Sequence, residues 1–99
     1  MAKIIIADDN KELLCMVSEF LKTQLQIEVV KTFNCGKDLL SHLENESADI
    51  LLLDVFMPEI DGVNVLTEIN TKNKYNRPKK IVMLTAFNSE SIISKSSEL

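Results

Sequence analysis

Three acids stand directly after apolar runs. Asp8 and Asp9 follow KIIIA at 3–7, and Asp54 follows DILLL at 49–53. A third run, KIVML at 80–84, is followed by Thr85 and Ala86. An ionised carboxylate at the end of an interior segment costs on the order of several kcal/mol unless it is paired. If the three acids converge, two carboxylates about 4 Å apart repel by ~4 kcal/mol at an effective dielectric of roughly 20. Something positive belongs there. A hard divalent ion such as Mg²⁺ fits, because it is held by one or two carboxylates together with waters and phosphate oxygens. With the crevice neutralised, one carboxylate could act as a nucleophile toward phosphorus and become an aspartyl phosphate. Asp54 is the best candidate, since it stands alone at the end of the most apolar run, whereas Asp8 and Asp9 are a pair suited to share the metal. Thr85 supplies a hydroxyl donor and Ala86 leaves room for a bulky group beside it. The plainer reading, strand-end turn residues and caps, suits any one of these acids. It suits three at corresponding strand ends less well.

The elements that must position them follow from the hydropathy pattern. Uninterrupted β-branched and leucine-rich runs at 3–7, 49–53 and 80–84 suit strands buried on both faces of a parallel sheet. The segment 27–32, IEVVKT, is more mixed and reads as a strand nearer an edge. Between the strands lie three amphipathic helical stripes. Leu13, Leu14, Val17, Phe20 and Leu21 mark the first, Leu39, Leu40 and Leu43 the second, and Val63, Val65, Leu66 and Ile69 the third. Asn10 stands where an N-cap belongs, and Asn88 or Ser89 could open a fourth helix carrying Ile92 and Ile93. Strict alternation of strand and helix predicts an α/β domain with right-handed crossovers, a parallel sheet and helices on both faces. Ligands then bind outside the carboxyl ends of the strands, where the strand order reverses. That is where the three acids and Thr85 fall.

The bulk properties bound the rest. The 99 residues make one domain at most, and 45% hydrophobic with 26% charged residues is a folded composition. A net charge of −4 with scattered lysines lacks the basic stripe that a nucleic-acid binder needs, so no direct nucleic-acid contact is expected. Cys15 and Cys35 have no metal-ligand spacing and read as reduced thiols. The apolar run at the N-terminus is too short for a signal peptide or a membrane span, and a cytoplasmic location is expected. His42 reads as a solvated surface residue. Pro58 stiffens the loop after Asp54, Gly62 is expected to let the backbone turn into the next helix, and Glu59 and Asp61 face solvent or a partner.

Taken in order, Asp8-Asp9, Leu53-Asp54 with Met57-Pro58 and Asp61-Gly62, and Leu84-Thr85-Ala86 resemble three motifs of one family. They look like the acidic pair, phosphoacceptor segment and switch threonine of the receiver domain of two-component response regulators. The resemblance implies a flavodoxin-like (CheY-like) doubly wound parallel sheet. It implies that Asp54 accepts a phosphoryl group from the phosphohistidine of a sensor histidine kinase or phosphotransferase, and that Thr85 contacts the phosphoryl oxygens. Asp8, Asp9, Asp54 and a backbone carbonyl at Phe56 or Met57 would surround Mg²⁺, Phe56 being preferred because it lies two residues past Asp54. The chain would then be a signalling module rather than a turnover enzyme, switching a partner or a DNA-binding output domain outside this chain. Within the family, ADDNKE and LTAF are most similar to the receiver of the sporulation master regulator of endospore-forming bacteria.

Family members continue through a fifth strand, with a switch aromatic within it and a lysine at its end, and then a fifth helix. This sequence stops at Leu99, so the expectation is a receiver over residues 1–99 lacking the last strand and helix. Lys79 and Lys80 precede the fourth strand, at the wrong end of the sheet to replace that lysine. Two expectations follow. Mg²⁺ binding should survive better than phosphorylation, and a bare edge at the fourth strand should favour a dimer or swapped oligomer. Two other functions compete: an Mg²⁺-dependent phosphohydrolase with an aspartyl nucleophile, and a receiver remnant that only binds partners. Such hydrolases resemble an Asp-x-Asp pattern after the first strand, whereas here the acids are adjacent.

Overall fold

The computed structural model describes residues 1–57 and 59–84. Among the described residues four strands alternate with three helices: β1 (Ala2–Ala7), α1 (Lys11–Lys22), β2 (Ile27–Phe33), α2 (Gly36–Leu43), β3 (Ile50–Asp54), α3 (Gly62–Thr71) and β4 (Lys80–Leu84). The sheet runs in the order β2-β1-β3-β4, with every neighbouring pair parallel. The mixed segment 27–32 lies in β2, which takes an edge position, and the leucine run of β3 lies between β1 and β4.

Side chains of a strand alternate between faces, so each apolar run supplies two layers. On one face Ile5, Ala7, Leu51, Leu53, Ile81 and Met83 pack against Leu39, Leu40 and Leu43 of α2 and Val65 and Ile69 of α3. On the other, Ile4 and Ile6 pack with Leu14, Val17 and Leu21 of α1, joined by Ile50 and Leu52. Burial on both faces is why these runs carry no polar alternation. It also forces every polar group of β1 and β3 to the strand ends.

Helix starts are set by short polar side chains. Asn10 precedes α1 in an extended conformation and its Oδ1 accepts the Leu13 N–H at 3.1 Å. Asp61 does the same for α3, accepting the Asn64 N–H at 2.8 Å. Each such cap stabilises by about 1 kcal/mol. Two residues depart from the predicted apolar stripes. Phe20 is 65% and Val63 53% exposed. The helical period alone does not say how wide a stripe the sheet covers. The structure buries Ser18 on α1 rather than Phe20. The proposed fourth helix at Asn88 or Ser89 lies outside the described residues, as do Pro58, Thr85 and Ala86.

Candidate functional site

From β1 the chain passes to β2 on one side and later to β3 on the other, so the strand order reverses between β1 and β3. A crevice at the carboxyl ends of these two strands is the expected ligand position in such a sheet. Asp8 follows β1 directly. Its N–H donates to the Phe33 carbonyl at 3.0 Å, which extends the ladder with β2, and its Oδ1 accepts the Asn10 N–H at 2.9 Å. These two bonds lock the acid in place before the chain turns into α1.

Across the crevice Asp54 is the last residue of β3, paired with Leu84 of β4. The next amide, Val55 N–H, donates to the Leu84 carbonyl at 2.8 Å, and the Phe56 N–H donates to Asp54 Oδ1 at 3.3 Å. One carboxylate oxygen each from Asp8, Asp9 and Asp54 lies within 4.8 Å of the other two. Asp8 and Asp54 are 5% and 4% exposed, whereas Asp9 is open to solvent. The cluster is therefore a buried floor with one accessible acid at its rim.

Packing three carboxylates this closely has an electrostatic consequence. The Asp54 carboxyl is pushed up to about 7 from an ordinary 3.8, first by burial. The Phe56 amide opposes this, while repulsion from Asp8 and Asp9 and a hydrogen bond shared with Asp9 add to it. Among the described residues the ion pairs are Lys72 with Glu68 and Lys79 with Asp49, neither of them at the cluster. An all-oxygen set with two buried members and one open side matches the donor chemistry of a small hard divalent cation that keeps part of its water shell. The residues fit such an ion. Phe56, 50% exposed, stands beside them at the start of the loop to α3.

Glycine 62 has a role that differs from the expected one. Its φ is not positive; the left-handed residue of this loop is Glu59, at φ 67°. A Cβ at Gly62 would overlap the Asp54 carbonyl oxygen and come within 2.9 Å of Val55 Cα. Gly62 is small so that α3 can start against the backbone of Asp54, and its N–H donates to the Val55 carbonyl at 2.8 Å. Asp61 does not simply face solvent, since it caps α3. His42 is likewise not a solvated surface residue. It is half-buried, with its ring centroid 5.2 Å from that of Phe33. Sequence reasoning gave no role to Gly36, whose Cβ would meet the Ile60 carbonyl oxygen at 2.9 Å. The available signal was scarcity: Gly36 and Gly62 are the only glycines in the chain.

A four-stranded parallel sheet in this order, with acids gathered at the reversal point, defines the class of doubly wound α/β proteins that bind at their strand ends. Residues 4–99 match the response regulator receiver domain family, and the chain belongs to it. Solved structures agree with the assignment. The chain is 29% identical to the response regulatory domain of mrkE from Klebsiella pneumoniae, covering 97% of this chain and 76% of that one with a TM-score of 0.76. It is 26% identical to RcsB from Salmonella enterica serovar Typhimurium, in a structure bound to promoter rprA with phosphomimetic BeF3⁻, covering 96% and 77% with a TM-score of 0.76. The signal receiver domain of the putative response regulator NarL from Mycobacterium tuberculosis, 20% identical, shares the fold with a TM-score of 0.78 over 98% and 76%. Among the described residues, no helix is long and apolar enough to cross a membrane.

Proposed function

We propose that this receiver domain is a phosphoacceptor switch of a two-component system or phosphorelay, with Asp54 as the acceptor. The observation that carries the reading is the convergence of Asp8, Asp9 and a buried Asp54 within 4.8 Å at the strand-order reversal. An Asp54 carboxylate oxygen attacks the phosphorus of a phosphohistidine on a sensor kinase or phosphotransferase. The new O–P bond forms as the P–N bond breaks, and the imidazole leaves with the electron pair and takes up a proton. Asp8, Asp9, Asp54 and the Phe56 carbonyl would hold Mg²⁺, which would supply the positive charge that carboxylates and phosphoryl oxygens need in order to approach. Asp8 is fixed for this by its bonds to Asn10 and Phe33, and the Phe56 amide orients one oxygen of Asp54. Thr85, following β4, contacts the phosphoryl oxygens through its hydroxyl.

The domain acts on a partner or output domain rather than turning over a substrate. A DNA-binding output is favoured by the relative solved on promoter DNA, RcsB, while the net charge of −4 argues against DNA contact by the receiver itself. ADDNKE and LTAF resemble the receiver of the sporulation master regulator, so a transcription-regulating output of that kind is the first to test, with a cytoplasmic site of action. Incubation with acetyl phosphate and Mg²⁺ followed by intact mass should give one stoichiometric phosphate, acid-stable and base-labile, that is lost in Asp54→Asn. Labelling that persists in Asp54→Asn refutes the assignment. Steady phosphate release from many substrates would identify a phosphohydrolase instead.

A further inference from the structure

We infer that Gly36, at the start of α2, is a positioning residue for the acidic site, acting through Ile60 on the loop that follows Asp54. The inference rests on the phosphoacceptor reading and adds to it a residue on a helix that carries none of the site's acids.

Val55 ties the end of β3 to both neighbours: its N–H donates to the Leu84 carbonyl of β4 at 2.8 Å, and its carbonyl accepts from the Gly62 N–H at the start of α3 at 2.8 Å. Gly62 seals the joint, because its missing side chain lets α3 rest on the Asp54 carbonyl. Ile60, between Asp54 and α3, meets the start of α2. A Cβ at Gly36 would lie 2.9 Å from the Ile60 carbonyl oxygen and 2.8 Å from Val65 Cγ2. Gly36 is buried there, so its neighbours leave no open space for an added methyl. Val65 could yield by moving a methyl group, but the Ile60 carbonyl is backbone.

A Cβ closer than 3.0 Å to another heavy atom forces something to shift, so an added methyl at Gly36 displaces the Ile60 carbonyl by a few tenths of an ångström. Ile60 lies two residues before Gly62, whose N–H bonds to the Val55 carbonyl at 2.8 Å, and through that bond the shift reaches Val55 and Phe56. The Phe56 amide holds Asp54 Oδ1 at 3.3 Å, and the Phe56 carbonyl is the proposed fourth ligand of the cation. Sites of this kind tolerate errors of only about 0.5 Å, and disturbing the groups that orient metal ligands typically weakens binding about tenfold or more. Both glycines of the chain thus allow a close approach to backbone between Asp54 and α3, Gly62 at Asp54 and Val55 and Gly36 at Ile60.

The test compares the full chain with Gly36→Ala, Val65→Ala and the double variant. It reads Mg²⁺ affinity by calorimetry, the initial rate of labelling by acetyl phosphate, thermal stability, and metal-free amide shifts of Val55, Phe56 and Gly62. Gly36→Ala is expected to fold, to bind Mg²⁺ about tenfold more weakly, to label more slowly and to move those three amides. Val65→Ala opens a void in the same contact and should lower thermal stability while keeping wild-type Mg²⁺ affinity. The double variant frees the Val65 contact but not the Ile60 carbonyl, so it should stay weak, and it carries the test if Gly36→Ala does not fold. Wild-type affinity with unmoved amides in Gly36→Ala overturns the inference. So does affinity that falls in Val65→Ala in step with stability, or failure of both glycine variants to fold, since each makes the role merely structural. A wild-type chain that neither binds Mg²⁺ nor accepts phosphate overturns the phosphoacceptor reading itself.

Discussion

Replacing Asp54 by asparagine should stabilise the metal-free domain, and the gain should grow with pH. Asp54 is 4% exposed and its carboxyl is raised from 3.8 to about 7 by burial and by its acidic neighbours. A rise of about 3 units at 1.36 kcal/mol per unit amounts to ~4 kcal/mol of strain once the group is ionised. The folded state therefore binds the Asp54 proton more tightly than the unfolded state does. Below about pH 4 both states are protonated and there is no strain. Between about pH 4 and 7 the unfolded chain loses its proton first, so wild-type stability falls as pH rises. Above about pH 7 the full penalty is present. Asparagine keeps a neutral group of the same shape, so Asp54→Asn should gain little at pH 4 and up to ~4 kcal/mol at pH 8. That is a large share of the 5–15 kcal/mol typical of a domain. Urea denaturation of both proteins in EDTA at the two pH values measures it. Adding Mg²⁺ should then recover stability in wild type far more than in the variant. A stability difference that does not change between pH 4 and 8, or a less stable variant at pH 8, would show that burial and the acidic neighbours do not penalise the ionised carboxylate.

Three further outcomes test neighbouring features. Asp9→Ala should weaken Mg²⁺ binding in a calorimetric titration by about tenfold or more while the fold persists, since Asp9 is exposed; identical isotherms would remove Asp9 from the site. Asp61→Ala removes the bond to the Asn64 amide and should cost about 1 kcal/mol in chemical denaturation, with unchanged stability counting against the cap. Glu59 holds a left-handed backbone, which costs an ordinary residue about 1–2 kcal/mol. Glu59→Gly should therefore raise stability by roughly 0.5–1 kcal/mol after the added flexibility of the unfolded chain is subtracted, and a loss of stability would refute it.

Much of the fold was readable because apolar runs of the right length leave few options. The run at 3–7 gains one residue at its start in β1, that at 49–53 shifts by one residue in β3, and that at 80–84 coincides with β4. The Asn10 cap was equally legible, since a short polar side chain ahead of an amphipathic stripe has one common use. Phe20 and Val63 were misplaced for the opposite reason. A period of 3.6 marks a face but not how far the sheet extends beneath it, and both side chains lie beyond its cover. His42 was taken for a surface group because nothing local predicts a ring from β2 packing on it. Gly62 was recognised as necessary but for the wrong reason. A turn can be read from sequence, whereas a close approach to Asp54 depends on where α3 docks.

The sequence by itself determined that Asp8, Asp9 and Asp54 end buried strands, because apolar runs have to stop where solvent or a ligand begins. It also carried the motif order that places the chain among response regulator receivers. Only the tertiary structure decided that these acids come within 4.8 Å of one another, since this requires β1 and β3, more than forty residues apart, to be sheet neighbours. It alone decided that Asp54 is strained when ionised, because burial and neighbouring charge are properties of the assembled crevice. And it alone brought the starts of α2 and α3 close to the backbone that follows β3, at the only two positions in the chain without a side chain.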